Sequence, residues 1–357
     1  MKILLSSHVY PPSIGGIETF SHTLAQELFA RKHQISVVTA EPRQLSPAPP
    51  WKIIRRPSFR ELFNAVAAAD IFLQSQISLR TIFPGFLLRK PIIVVHHTWL
   101  RNDSGEIDFP NRLKRYLCAL STKKSTLCDS PGGHTPTRGF VTNVCVSQIM
   151  ADDFSFPSRI IPLPLKPAHA SSDNLQRTIT LGFLGRLVSD KGVDTLIEAL
   201  GVLKKIGKTP DLSIIGDGPE RSPLEKQCHA LGLADQVRFL GRRTGQELTD
   251  ILHQIKILVV PSRWSEPFGL VALEGIAAGC VIIGSNRGGL PEAIGKCGLT
   301  FANCNSQDLS EKLEIMLSSE TNHDYFRQDA QKHLARFSLS AVVDEYERLF
   351  SEILNRA

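Results

Sequence analysis

The chain has 357 residues, 42% of them hydrophobic, an ordinary globular proportion in a length that exceeds one typical core and suits two domains. Its net charge of +6 is uneven: residues 1–170 carry 20 Lys and Arg against 11 Asp and Glu, and the remainder 21 against 24, so the first half is suited to an anionic partner. Seven scattered cysteines without a CxxC pair argue against a zinc site or a disulfide framework and for a reducing compartment. The opening MKILLSS is too short for a signal peptide. No run approaches the roughly 20 apolar residues of a membrane span. The expected location is cytoplasmic, with peripheral contact at the inner face of the plasma membrane as a candidate.

Residues 2–6 are a short apolar run that predicts a buried first strand. Residues 8–16, HVYPPSIGG, form a loop of breakers, after which Ile17, Phe20, Leu24 and Leu28 recur at helical spacing. Gly15 and Gly16 thus fall at a strand-loop-helix junction, where glycine lets backbone N–H groups approach a ligand. A plain turn accounts for the same residues. The GxGxxG dinucleotide fingerprint is absent. Residues 34–39, 51–55, 70–74 and 91–95 predict further strands, with a short alanine-rich helix before the third. The alternation marks a doubly wound parallel sheet. The last of these strands runs into His96, His97, Thr98 and Trp99. A histidine there stands at a ligand position or serves as a polar strand cap. Pleating along a continuing strand lets only one of the two face a site.

Residues 110–128 are basic and amphipathic, with Leu113, Leu117 and Leu120 on one stripe among Arg112, Lys114, Arg115, Lys123 and Lys124. The plainer reading is a surface helix packed on its own domain. The sharper one is a patch for an anionic membrane surface, helped by RTIFPGFLLRK at 80–90. Aromatic and basic residues do not interleave as in single-strand grooves, so no nucleic-acid partner is expected. Residues 143–146 and 159–163 read as strands, and 164–177, rich in Pro, Ser and polar residues, as a linker.

The second half restarts with a strand at 178–184, which runs into GRLVSDKGVDTLIEAL. Arg186 follows the strand. Lys191 and Gly192 precede a helix with apolar Val193, Leu196, Ile197 and Leu200. Two cations beside a helix N-terminus make a diphosphate clamp, the arginine as a fork and the lysine as a mobile point charge. A strand at 212–215 leads into GDGPE, with Gly216, Gly218 and Glu220 at another strand-to-helix junction. Strands at 237–240, 257–260 and 281–283 continue the alternation. Between the last two lies PSRWSEPFGLVALEGIAAG, residues 261–279: a polar loop holding Glu266, then a helix from about 269 to 278 holding Glu274. The first N–H groups of that helix favour a phosphate. A carboxylate would repel a phosphate and instead accepts hydrogen bonds from hydroxyls, as sugars offer. The stretch suggests a ligand with both groups, although a buried strand-turn-helix with two solvated glutamates also fits it alone. SNRGGLPEAI follows, with Gly288, Gly289 and Glu292. From 306 onward the pattern is helical, ending in a helix at about 338–355.

In that order, GRLVSDKG, GDGP, PSRWSEPFGLVALEGIAAG and SNRGGLPEAI resemble the C-terminal domain of retaining family 4 glycosyltransferases, the group 1 glycosyl transferases of the GT-B fold. GGIET resembles their glycine loop. The resemblance implies an α/β protein of two doubly wound parallel-sheet Rossmann-like domains facing each other across a cleft. Residues 1–165 would bind the acceptor, joined by a crossover helix near 338–357, and 175–337 would bind the nucleotide sugar. It implies that Arg186 and Lys191 hold the donor diphosphate, that Glu266 contacts the transferred sugar, and that Glu274 accepts from the ribose. Phe268, Gly269 and Leu270 match the helix start that meets phosphate and sugar. Gly15 and Gly16 match the glycine loop near the donor. His97 matches the site histidine, with His96 as the fallback, and Gly216, Gly218 and Glu220 match the nucleoside-side loop. The chain departs from the pattern at IIPLPLKP, residues 160–167, where Leu163 stands in place of a common Asn.

The implied activity is transfer of a hexosyl group, with retention, from a nucleoside diphosphate sugar to a hydroxyl of a glycan or lipid-linked acceptor, in cell-envelope polysaccharide or glycolipid synthesis. No DxD motif occurs, so neither a metal nor a cofactor beyond the donor is expected. An epimerase of the same fold and an inactive sugar-nucleotide-binding protein are the alternatives.

Overall fold

The computed structural model describes residues 1–355 except 14, 44–46, 102–104, 121–140, 155, 166–176 and 319. The chain divides into two compact units, Met1–Pro164 with Leu339–Ala357, and Leu165–Ser338.

The first unit carries a parallel sheet of seven strands: β1 (Lys2–Ser7), β2 (Gln34–Thr39), β3 (Lys52–Arg55), β4 (Ile71–Ser75), β5 (Ile92–His96), β6 (Val141–Cys145) and β7 (Ser158–Ile160). Their order is β3-β2-β1-β4-β5-β6-β7. Every residue of β4 and β5 is buried, as expected for strands covered by helices on both faces. The connections carry α1 (Gly16–Ala30), α2 (Phe59–Ala68), α3 (Leu79–Leu87), α4 (Phe109–Leu120) and α5 (Gln148–Asp153). Helix α2 starts at a capping box: the Glu61 N–H donates to Ser58 Oγ at 3.3 Å, and the Ser58 N–H to Glu61 Oε2 at 2.9 Å.

The second unit has six parallel strands: β8 (Ile179–Leu184), β9 (Leu212–Ile215), β10 (Val237–Gly241), β11 (Ile255–Val260), β12 (Val281–Ser285) and β13 (Gly298–Phe301), in the order β10-β9-β8-β11-β12-β13. Its helices are α6 (Val193–Lys205), α7 (Arg221–Ala230), α8 (Gly245–Gln254), α9 (Leu270–Ala277), α10 (Leu290–Ile294), α11 (Ser306–Leu317), α12 (Glu320–Arg327) and α13 (Ala330–Ala335). One side of its core joins Leu196, Ile197 and Leu200 of α6 to Leu309 and Leu313 of α11 over the middle strands. The last helix, α14 (Leu339–Leu354), belongs to the first unit. It buries Val342, Val343, Tyr346, Leu349 and Phe350. Arg31, after α1, donates to Glu347 at 2.7 Å and also pairs with Asp344, and His33 bonds Glu347 at 2.7 Å.

In each sheet the chain reverses its direction of growth once, between β1 and β4 and between β8 and β11. Ligands of open α/β sheets bind beyond the strand carboxyl ends at such switch points. Several local expectations are corrected. The last strand of the first sheet stops at Ile160 rather than 163, because Pro162 has no N–H for the ladder. Strand β13 and helices α3 and α5 did not stand out in the pattern. Helix α4 packs on its own unit, the plainer of the two readings of that stretch: Cys118 is buried, and Arg115 lies over the Phe154 ring at 5.3 Å and bonds the Asp153 backbone. The end of that basic stretch, with Lys123 and Lys124, and the linker at 166–176 lie outside the described residues.

Candidate active site

The switch point of the second sheet brings together the loops that follow β8 and β11. Arg186 stands exposed just after β8, and among the described residues it makes no ion pair. The loop then tightens into a short 3-10 turn, Ser189–Lys191, and Gly192 opens α6 with φ 65. A β-carbon at Gly192 would run into the Pro261 carbonyl, so glycine is required for this loop to rest on the end of β11. The Arg263 N–H donates to the Asp190 carbonyl at 2.8 Å, and the Arg263 guanidinium pairs with Asp194 in the first turn of α6.

This packing places Lys191 against Glu266. Lys191 Nζ lies 2.5 Å from Glu266 Oε1, and Ser262 Oγ donates to the same oxygen at 2.9 Å. Ser262 is buried, and its carbonyl accepts from Ser285 Oγ at 2.8 Å. The backbone of Glu266 is fixed from the other side. It forms a parallel bridge with Gly288, and its carbonyl accepts the Gly289 N–H at 2.7 Å. Gly288 has φ 69, and a β-carbon on it would collide with the Glu266 backbone. Gly288 and Gly289 were noted in sequence without a role. They hold the carboxylate-bearing loop in place.

Helix α9 begins at Gly269, whose φ of 116 is open to glycine alone, and no side chain caps it. The Ala272 N–H turns back to the Gly269 carbonyl at 3.0 Å, and no side chain caps the N–H groups of Leu270 and Val271 before it. Leu270 is half-buried and Glu274 is exposed on the same helix. Phe268 contributes backbone only: its ring is 2% exposed and packs edge-on against Phe337 at 5.6 Å. Gly216 and Gly218 have a structural reason to be glycine, since β-carbons there would meet the carbonyls of Gly185 and Leu187. The Glu220 N–H donates to the Leu187 carbonyl at 3.0 Å. These contacts seat the loop after β9 against the loop that carries Arg186.

In the first unit, Gly15 and Gly16 open α1 at the β1 end of the other switch point. Gly16 is exposed, and a β-carbon on it would meet nothing within 4 Å. Neither histidine stands free in a cleft. His96 is fully buried between Phe154 and Phe156, with Nε2 3.1 Å from Asn143 Oδ1. His97 is 6% exposed, with Nε2 2.9 Å from Ser75 Oγ and its ring edge-on to Phe20. Strand β5 ends at His96, so the pleat argument, which required a continuing strand, does not apply to His97, and both rings are buried. Burial pushes the His96 pKa down to about 4 and that of His97 down to about 3, and both rings are neutral at pH 7. A chain of buried hydroxyls, Ser7–Ser21–Ser75, at 3.1 and 3.0 Å leads to His97.

Among the described residues, no group of three or more His, Cys, Asp or Glu side chains is placed to hold a metal ion. Residues 167–333 match the family described as Glycosyl transferases group 1. A D-inositol 3-phosphate glycosyltransferase of Corynebacterium jeikeium is 31% identical over 186 residues, which is 50% of this chain and 44% of that relative. The chain thus spans less than half the length of that relative. A glycogen synthase of Mycobacterium tuberculosis is 38% identical over 128 residues, 36% of this chain and 30% of its own. Among solved structures, Anabaena Alr3699/HepE in complex with UDP superimposes with a TM-score of 0.78 at 18% identity, covering 99% of this chain and 100% of that one. That likeness shows the fold, GT-B, with its two parallel-sheet α/β units. Over residues 167–333 the chain is similar to the group 1 glycosyl transferases.

Proposed function

We propose that the protein is a retaining glycosyltransferase that moves a hexosyl group from a nucleoside diphosphate sugar to an acceptor hydroxyl and needs no metal to do so. The observation that carries this reading is the Lys191–Glu266 pair at the second switch point, with Arg186 on the same loop as Lys191. A lysine, an arginine and an uncapped helix start suit a diphosphate. A carboxylate held among them suits the hydroxyls of the attached sugar. Without a ligand, the cation and the carboxylate neutralise one another. On donor binding, Lys191 turns to the diphosphate and Glu266 is left to accept from the sugar. The solved neighbour's complex with UDP supports the uridine nucleotide as a first probe.

In the proposed reaction the bond between the anomeric carbon and the diphosphate oxygen breaks, and the acceptor oxygen bonds that carbon from the same face. The acceptor proton passes to the departing diphosphate. Arg186, Lys191 and the N–H groups of α9 stabilise the charge that grows on the leaving group. Glu274, Gly216, Gly218 and Glu220 are assigned to the nucleoside, and Gly15 and Gly16 to the donor phosphate. His97, neutral and held by Ser75, is assigned to hydrogen bonding at the sugar rather than to proton transfer.

Cell-envelope polysaccharide or glycolipid synthesis is the setting we propose, on the basic charge of the first half. Exposed Phe83, Leu87, Phe109 and Tyr116 on α3 and α4 favour contact with an anionic membrane surface from the cytoplasmic side. Incubation with labelled sugar nucleotides tests the activity. Transfer, or slow donor hydrolysis, supports it. Binding without turnover returns the inactive binding protein, and conversion to an epimer returns the epimerase.

A further inference from the structure

The carboxyl ends of β1, β2 and β4, at the switch point of the first sheet, surround a separate cavity of about 280 Å³. Among the described residues its lining includes His8, Arg56 and Arg80 and no acidic residue. Arg56 is oriented by the end of β2. Its N–H donates to the Thr39 carbonyl at 2.8 Å and its Nε to the Ala40 carbonyl at 3.4 Å, which leaves the terminal nitrogens of the fork for a ligand. Arg80 is exposed in the first turn of α3 and makes no ion pair among the described residues. Glu41, next to Ala40, is engaged elsewhere, by Arg43 at 2.9 Å and by Ser13. The cavity is therefore a concentration of positive charge that no acidic side chain neutralises among the described residues.

The backbone gives a second, independent sign. Arg56 and Gln76 both line the cavity, and both are held in the left-handed region, with φ 47 and 71. Neither follows a helix C-terminus, where such a conformation is common. Each costs on the order of 1 kcal/mol for a residue with a β-carbon, and such costs cluster at ligand sites. Gln76 also joins the cavity to His97, because its Oε1 accepts the His97 N–H at 2.9 Å. Phe59, 61% exposed, supplies an apolar wall beside the charges.

We propose that this cavity binds a phosphate group of the acceptor, held between Arg56 and Arg80 with His8 alongside. Two forked guanidiniums and an imidazole match the several oxygens of a phosphate better than the two of a carboxylate. That the ligand is the acceptor rests on the transferase reading; that the cavity takes a phosphate does not.

Phenylglyoxal labelling of the full-length protein, read arginine by arginine by mass spectrometry, tests the proposal without any substitution. Inorganic phosphate is expected to slow labelling of Arg56 and Arg80 several-fold, relative to chloride at equal ionic strength and to acetate. Labelling of the exposed control Arg238 should not change. Glycerol 3-phosphate and vesicles containing phosphatidic acid, as parallel arms, separate a soluble phosphate ester from a lipid headgroup. Protection by either supports the cavity as a phosphate site. Equal labelling rates in all arms, or acetate protecting as well as phosphate, overturn it. UDP in a further arm reports on Arg186 alone, so failure of the donor-site reading shows separately from failure of this one.

Discussion

The two switch points are built by different means. In the second unit the loops are fixed by glycines pressed against neighbouring backbone: Gly192 on Pro261, Gly216 on Gly185 and Gly288 on Glu266. Only then are a few charged side chains placed. In the first unit the corresponding loops hold ordinary residues in left-handed conformations, Arg56 and Gln76, and the surroundings are set by side chains such as Arg80 and Phe59. Backbone clamps leave little freedom to vary, which suits a ligand with a constant diphosphate. Loops defined by side chains can change recognition without changing the fold, which suits acceptors that differ.

The largest expected effect is at Glu266. Glu266→Ala should lower transfer by about 100-fold or more if it contacts the sugar as bonds rearrange, while circular dichroism and melting stay close to wild type. Lys191→Gln should weaken UDP binding by about tenfold, the loss of a charge-assisted hydrogen bond, measured by calorimetry. Acid should expose the buried histidines of the first unit. Their folded pKa values are depressed, so stability is full above about pH 6.5 and falls as the pH drops toward their folded values of about 4 and 3. By about pH 5 each should cost roughly 2 kcal/mol. His97→Gln should flatten that slope in urea titrations at several pH values.

Gly288→Ala attacks the backbone clamp. With φ 69 and a β-carbon against Glu266, it should destabilise the second unit by about 1–3 kcal/mol, seen as a shift in denaturant midpoint, and transfer should fall with it. Gly16→Ala is the smallest in stability. Open space around that position predicts a change within about 0.5 kcal/mol. A loss of activity in such a stable variant would then come from crowding a ligand, sharpening the contrast between a glycine required by the fold and one required by a substrate.

Much of the alternating strand-helix order was readable because buried parallel strands are continuous apolar runs, as at 92–95 and 257–260. Helix α3 was obscured by Pro84 inside it, α5 is only six residues long, and β13 is a four-residue strand beginning at a glycine. Arg186, Lys191 and Glu266 could be singled out because charged residues interrupt strand-to-helix junctions. Their pairing could not be, because Lys191 and Glu266 are 75 residues apart and meet only through the order β8-β11. The clamp by Gly288 was invisible for the same reason. The burial of His97 depends on where β5 stops, a boundary that residue pattern does not define.

The exchange of Lys191 from Glu266 to the diphosphate is tested most directly by calorimetric titration of UDP into wild type, Lys191→Gln and Glu266→Gln. The expected result is that Lys191→Gln binds about tenfold more weakly, whereas Glu266→Gln binds as tightly as wild type or tighter, since its lysine is released from the carboxylate. Equal weakening in both variants, or no UDP binding by the wild type, would contradict the assignment of this pair to the donor.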